Sequence, residues 1–329
     1  MRKNRVVLVS VFGVLVLLVI LPRFLSSSML MVFFLSFLWL VLAANYDILG
    51  GFLGYIHLAQ GAFFGIGSYT ATLLLNSPVI QTFGPLGLYL VSLLAIILSG
   101  LFAGIIAFPL FRLKGLYFAV TTLVLVFLLE ALVINLPDLT SGSYGAFVPR
   151  QYCKSTFTGY YLALFLAFIS VGINYKLSRS KRGLAFAIIR EDEEAAASIG
   201  LNVRLQKTMA YVLSSLPSAA AGIIFALNSG FIDPQIALGV ERSLLPPLMA
   251  MLGGTGLVLG PVLGMIIIRA IDVVSFHYLH LPIPSMFFFG VALTLVALFI
   301  PEGLLSSPWV KRASGALALK LRLGSQETL

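Results

Sequence analysis

The sequence predicts an all-α polytopic membrane protein of about ten transmembrane helices, and three observations carry that prediction. Hydrophobic residues make up 60% of the 329 and charged residues 10%, against roughly 45–50% and about 25% in a soluble domain. Uncharged apolar runs recur along the whole length, many near the ~20 residues that a helix needs to cross a bilayer. Lys and Arg crowd into alternate loops between those runs. Because the runs are continuously apolar, spanning strands are excluded, and each crossing must close its backbone hydrogen bonds within a helix. No segment is long and polar enough for a soluble domain, so 1–329 reads as one transmembrane domain.

Taken in order, the runs place spans at about 6–21, 29–48, 52–75, 86–108, 116–136, 159–176, 208–229, 243–254, 257–277 and 284–300. The first follows a basic start, Met1 to Arg5, and reads as a transmembrane helix rather than a signal peptide, since Ser26-Ser27-Ser28 gives no small-x-small site of the expected kind and no secreted domain follows. Ten crossings put both termini on one side. Sixteen of the 21 basic residues fall on that side, including Arg112, Lys114, seven between Lys176 and Lys207, and four in a tail over about 302–329. Basic excess marks the cytoplasmic face, so both ends are expected there. The net charge of +9 is then explained by topology and anionic lipid, and no nucleic-acid partner is needed. The single cysteine, Cys153, excludes an intramolecular disulfide.

Two spans are irregular. Gly50 to Gly67 carries glycines at 50, 51, 54, 61, 65 and 67, and 253–264 reads GGTGLVLGPVLG. Such density allows close helix packing, or broken backbone lining a cavity. Interrupted elements in corresponding halves are a feature of carriers built from repeats. Spans two to five and seven to ten start on opposite sides, so a repeat here is an inverted one.

Several chemistries are missing. No Gly-Lys dipeptide occurs, so there is no P-loop to wrap nucleotide phosphates. His277 and His280 form the only close histidine pair, without a third ligand, so no metal and no cofactor are expected. His57 reads as a hydrogen-bonding residue of helix packing. Charges within spans mark function by default. Arg269 and Asp272, three apart, share a helix face and are expected to pair. Glu130 has no partner in its own helix and is open to lining a polar path or meeting another subunit. Asp47 sits near a span end and is expected to reach the interface.

The densest polar feature is an island from Lys176 to Lys207, with eleven of the 33 charged residues. Lys176, Arg179, Lys181 and Arg182 anchor a helix end at the headgroups, and Gly183 is expected to break the chain. A short helix over about 191–199 follows. Its first turn holds Glu191, Asp192, Glu193 and Glu194, favourable at the positive dipole end. Ala195, Ala196 and Ala197 are compact helix formers, and Gly200 and Asn202 suit a stop. An amphipathic element of this kind on the cytoplasmic side suits insertion into a partner's groove.

These residues carry a resemblance. Arg190-Glu191-Asp192-Glu193-x-Ala195-Ala196-x-x-x-Gly200 resembles the cytoplasmic loop of ATP-binding-cassette (ABC) importer permeases, specifically the branched-chain amino acid permease family. Three other stretches agree: Ala44 to Gly51 running into His57 to Tyr69, Leu113 to Leu123, and Gly253 to Gly264. The match runs in order from about 40 to 305. The resemblance implies the ABC importer permease fold and the larger of two permease subunits. It implies a second homologous permease, two ABC ATPase subunits and a periplasmic or surface binding protein delivering leucine, isoleucine or valine, all at a prokaryotic plasma membrane. It also implies that the loop over about 177–207 holds the coupling helix, Arg190 to Gly200. Tyr144 departs from the family pattern, which commonly has aspartate there. Related permeases move urea or small amides, and a proton-coupled carrier using Glu130 or Asp272 is the reading from another class.

The expected mechanism is alternating access driven by partner ATPases, with no covalent chemistry and no ATPase site in this chain. Gly61, Gly65, Thr121, Thr122 and Glu130 are the candidate residues of the translocation path.

Overall fold

The computed structural model describes residues 13–274 and 303–306, together with 290, 291 and 294. Most of the expected span at 284–300, the pair His277 and His280, residues 6–12 of the first span and most of the tail lie outside the described residues. Fourteen helices are described: α1 (Gly13–Arg23), α2 (Ser27–Gly50), α3 (Gln60–Leu75), α4 (Pro78–Gln81), α5 (Pro85–Leu110), α6 (Gly115–Asn135), α7 (Pro137–Thr140), α8 (Thr156–Ser178), α9 (Lys181–Glu191), α10 (Glu193–Ser198), α11 (Val203–Ser229), α12 (Pro234–Leu238), α13 (Glu241–Gly253) and α14 (Gly260–Val273). The described strands are a two-residue antiparallel pair, with Ala146 opposite Ile232 and Phe147 opposite Phe231. The fold is therefore all-α. Five helices, α2, α5, α6, α8 and α11, and the segment Pro234–Gly253 are long and apolar enough to cross a membrane.

Side-chain caps fix six of the described helix starts, since each unpaired N-terminal amide needs an acceptor. Ser155 Oγ accepts from Thr158 N at 3.3 Å to open α8. Asn202, expected to help stop the island, instead caps α11 by accepting from Leu205 N at 3.0 Å. Asp233 Oδ1 accepts from Ile236 N at 2.7 Å to start α12.

Helix α11 is the central post, packed against α2, α3, α5 and α8. Its crossing with α3 depends on two glycines. A Cβ on Gly67 would run into the carbonyl of Ala219, and one on Gly222 into the carbonyl of Phe64. Backbones can therefore touch, which is how helices gain contact where lipid removes the hydrophobic drive to associate. Around this seam lie the fully buried Phe34, Phe63, Phe64, Tyr160 and Tyr211. By contrast, α5 and α6 present large exposed apolar side chains outward, among them Leu93, Leu101, Ile105, Tyr117, Val124 and Leu128.

Three expected elements are drawn differently. The span expected at 52–75 is helical only from Gln60; residues 51–59 run as turn and coil. Gly54 holds φ +77° there, a conformation that side-chain-bearing residues avoid. The freed amide of Leu58 donates to Thr122 Oγ1 at 2.9 Å. The span expected at 243–254 starts at Glu241, and it is preceded by α12 and a break at Gly239 and Val240. Finally, Gly183 does not break the chain. It lies in the first turn of α9, its amide donating to Ser180 Oγ at 3.0 Å. A Cβ there would strike the carbonyl of Leu177, so glycine is what lets α9 turn sharply off the end of α8.

Candidate functional site

The charged island folds as two helices rather than one. The helix expected over 191–199 is interrupted at Asp192, whose extended backbone (φ −155°, ψ 116°) ends α9 and caps α10. Its Oδ1 accepts from Glu194 N at 2.8 Å and Ala195 N at 3.1 Å. Arg190 and Glu191 thus belong to α9, while Glu193, Glu194, Ala195 and Ala196 belong to α10. Gly200, at φ +85°, closes α10 as expected: Leu201 N donates to the carbonyl of Ala196 at 3.1 Å, the wrapped hydrogen bond of a glycine-terminated helix.

The two short helices divide their side chains by direction. Glu191, Asp192, Glu194 and Ala195 are exposed, and Ile199 is 67% exposed on the same element. Glu193 and Ala196 turn toward the bundle, and Arg190, though exposed, reaches it with its guanidinium. Arg190 Nη1 donates to the carbonyl of Gly51 at 2.7 Å, and its Cγ lies 2.9 Å from where a Cβ on Gly54 would be. The same corner holds the second glycine-rich stretch. Gly256 N donates to Asp47 Oδ1 at 2.9 Å, and a Cβ on Gly256 would lie 3.1 Å from the Gly51 carbonyl. Asp47 is fully buried, not at the interface as expected; it ties the end of α2 to the α13–α14 turn.

A second junction lies one turn along. Glu193 pairs with Lys207 of α11 at 2.5 Å, and Lys207 Nζ donates to Tyr55 Oη at 2.6 Å. The Tyr55 hydroxyl donates in turn to Glu193 Oε1. Burial pushes the Glu193 carboxyl up, but the hydrogen bonds from Lys207 and Tyr55 outweigh it and hold the group below the usual glutamate value. Both junctions end on the coil 51–59 that leads into α3.

Of the path candidates, Gly61 and Gly65 face α12 and α13. A Cβ on Gly61 would lie 2.6 Å from Ser243 Oγ, and one on Gly65 would strike Leu238. Thr122 is fully buried and serves the coil through Leu58, donating its own proton to the carbonyl of Ala119 at 2.7 Å. Thr121 bonds within α6, to the carbonyl of Tyr117. Glu130 is partly buried on α6. The structure thus groups Gly61 and Gly65 but not the two threonines or Glu130 with them. Among the described residues, no three His, Cys, Asp or Glu side chains gather as metal ligands.

The family model described as "Branched-chain amino acid transport system / permease component" matches residues 28–297. This chain belongs to that permease family. The LivM permease protein of the high-affinity branched-chain amino acid transport system of Escherichia coli K12 is 27% identical, over 92% of this chain and 76% of its own. The LivH permease protein of the same organism's system is 24% identical over 83% and 92%. The autoinducer 2 import system permease protein LsrC of Klebsiella pneumoniae is 33% identical, over 34% and 33%. No solved structure matches.

In this permease the expected pair Arg269 and Asp272 is formed, and Arg269 Nε also donates to Ser36 Oγ at 3.2 Å. His57, expected to hydrogen-bond in helix packing, is fully buried beside the Tyr46 backbone, but neither ring nitrogen makes a well-aligned hydrogen bond among the described residues. It packs as an aromatic, stacked on Tyr46 and edge-on to Tyr211. The permease also contains two residues that the sequence reading did not single out. Tyr55 reads as one more aromatic in an apolar run, and only its tie to Lys207 reveals a role. Arg242 lies in the first turn of α13. Its Cζ lies 4.0 Å from the Phe64 ring centre, 4.6 Å from that of Phe225 and 5.7 Å from that of Trp39. A charge just after a glycine break was the available signal.

Proposed function

We propose that this permease is the membrane subunit of an ATP-driven importer of leucine, isoleucine and valine, forming half of a translocation path with a second homologous permease. One of two ABC ATPase subunits would grip the outward face of α9 and α10, the other would engage the second permease, and a binding protein would deliver substrate at the opposite end. Both termini and the island would then be cytoplasmic, at a prokaryotic inner membrane. The observation that carries this reading is the division of the island. Glu191, Asp192, Glu194 and Ile199 are exposed for a partner, while Arg190 and Glu193 are tied to the coil before α3 and to α11. A force applied outside would therefore arrive at the helices around Gly61 and Gly65. No chemistry on the substrate is required, since apolar side chains need only a transiently dry route.

The test is competition uptake in a strain lacking the system and complemented with the whole operon. Saturable uptake of labelled leucine, competed by isoleucine and valine but not by urea, is expected. Competition by urea in place of valine would reassign the substrate to small amides. Uptake in energised vesicles without ATP would point to a secondary carrier. Glu194→Arg should abolish uptake while leaving the protein in the membrane, and normal transport by that variant would refute the coupling assignment.

A further inference from the structure

Two helices of this permease begin inside the bundle rather than at its surface. Gln60, at the start of α3, donates from Nε2 to Ser214 Oγ at 2.9 Å and accepts from Ser218 Oγ at 2.5 Å, so α3 starts beside the middle of α11. Helix α13 starts at Glu241 after the Gly239 break, and Arg242 in its first turn lies against Trp39, in the middle of α2. The two N-termini meet. A Cβ on Gly61 would lie 2.6 Å from Ser243 Oγ, 3.5 Å from Arg242 Cβ and 3.5 Å from the Gly239 carbonyl. Half-helix N-termini concentrate positive potential and suit anions at mid-membrane depth.

Two side chains at this meeting point are unspent. Ser243 is fully buried, and among the described residues its hydroxyl has no hydrogen-bond partner. A buried orphan of this kind needs a ligand or water to offset its desolvation. Arg242 donates from Nε to the carbonyl of Ile236, and no carboxylate among the described residues lies within 4.0 Å of it. Its neighbours Glu241 and Asp233 act on it only from further away, and Asp233 is committed to the cap of α12. Phe64, Phe225 and Trp39 cradle the cation, but a guanidinium fork with its outer nitrogens open matches a carboxylate bidentately. Arg242 is half-buried, with its charge set deep among neighbouring atoms, and among the described residues only its Nε is engaged in a hydrogen bond.

We propose that Arg242 and Ser243, at the converging starts of α3 and α13, bind the carboxylate group of the transported solute as it passes. Trp39, the one of the three rings that is not buried, then supplies an apolar wall for a short aliphatic side chain. This deepens the amino-acid reading above and rests on it for the identity of the solute, but not for the carboxylate.

The test has two arms. Phenylglyoxal, which adds to accessible guanidinium groups, is applied to the purified full-length chain in detergent, and modification of Arg242 is followed by peptide mass spectrometry. Isovalerate should slow modification several-fold, whereas isovaleramide, its uncharged counterpart, should not. Equal rates with and without isovalerate, or an Arg242 that the reagent never reaches, would overturn the site. In the second arm Arg242→Gln should lower leucine uptake by roughly thirtyfold or more, as expected when one side of a buried charge pair is removed. Arg242→Lys should recover part of it, and Ser243→Ala should cost less; wild-type uptake by Arg242→Gln at normal membrane abundance would also overturn it. If the unmodified system carries no leucine, the substrate assignment fails while the isovalerate arm still decides the carboxylate site.

Discussion

Arg190 Nη1 donates to the carbonyl oxygen of Gly51 at 2.7 Å, across 139 residues of chain. It joins the charged island to the end of α2 at the place where Gly256 and Asp47 join both to the α13–α14 turn. Three stretches that stand out separately in the sequence are thus one structural corner. Arg190→Gln keeps polarity but shortens the side chain and removes the charge and the guanidinium fork. The expected outcome is membrane abundance near wild type with uptake reduced at least about tenfold, a loss of ~1.4 kcal/mol in coupling. Uptake and quantitative immunoblotting of the same membranes check it, and unchanged uptake would remove Arg190 from the coupling route.

Glu193 and Lys207 are expected to be energetically coupled. Lys207→Met leaves a partly buried carboxylate without its cation, so it should cost more than the double change Lys207→Met with Glu193→Gln. A double-mutant cycle on detergent melting temperatures measures the difference. Additive effects would show that the pair stabilises nothing.

The depressed Glu193 carboxyl also sets a pH dependence. A group whose folded value lies below its unfolded one stabilises the fold fully above the unfolded value, about 4.3, and loses that contribution as pH falls through the folded value. Hydrogen exchange of the 190–200 amides, corrected for intrinsic rate, should therefore be flat from pH 7 to about 5 and rise with further acidification. Glu193→Gln should flatten the rise.

Gly222→Val tests the α3–α11 seam. The added side chain meets the Phe64 carbonyl, so the helices must part, at about 1–3 kcal/mol. A lower melting temperature in detergent is expected, with the same helical content by circular dichroism. Stability equal to wild type would mean that the seam yields without cost.

Asp272→Asn should lower the amount of protein in the membrane by leaving Arg269 without its counter-charge. The cost falls below the ~3–5 kcal/mol of a fully buried pair, because Asp272 keeps 25% of its side chain exposed. Removing both charges, Arg269→Met with Asp272→Leu, should restore abundance. A proton-coupled carrier built on Asp272 would instead lose transport in the double variant.

What was legible in the sequence follows from the physics of each signal. Apolar runs of bilayer length are set by composition alone, so α2, α5, α6, α8 and α11 were readable to within a few residues. The Arg269 and Asp272 pair was readable because three-residue spacing is local. The breaks at 51–59, 192 and 239–240 were not placed, since a window average does not distinguish an apolar coil from an apolar helix. Partners distant in sequence were also hidden: nothing local tells that Tyr55 meets Glu193 and Lys207, or that Asp47 caps a turn 209 residues away. The island drew attention by charge, but its split at Asp192 depends on one residue adopting extended backbone so that its carboxylate can cap the next helix.

Gly51 and Tyr55 are only four residues apart, yet Arg190 of α9 holds one and Glu193 of α10 holds the other. A body fastened at one point swivels about it, whereas a body fastened at two points carries torque. The doubly pinned coil ahead of α3 therefore resists rotation relative to the island. A twist imposed on α9 and α10 would turn α3 about its own axis as well as shift it along that axis, so even a small rocking of the island could reorient the face that bears Gly61.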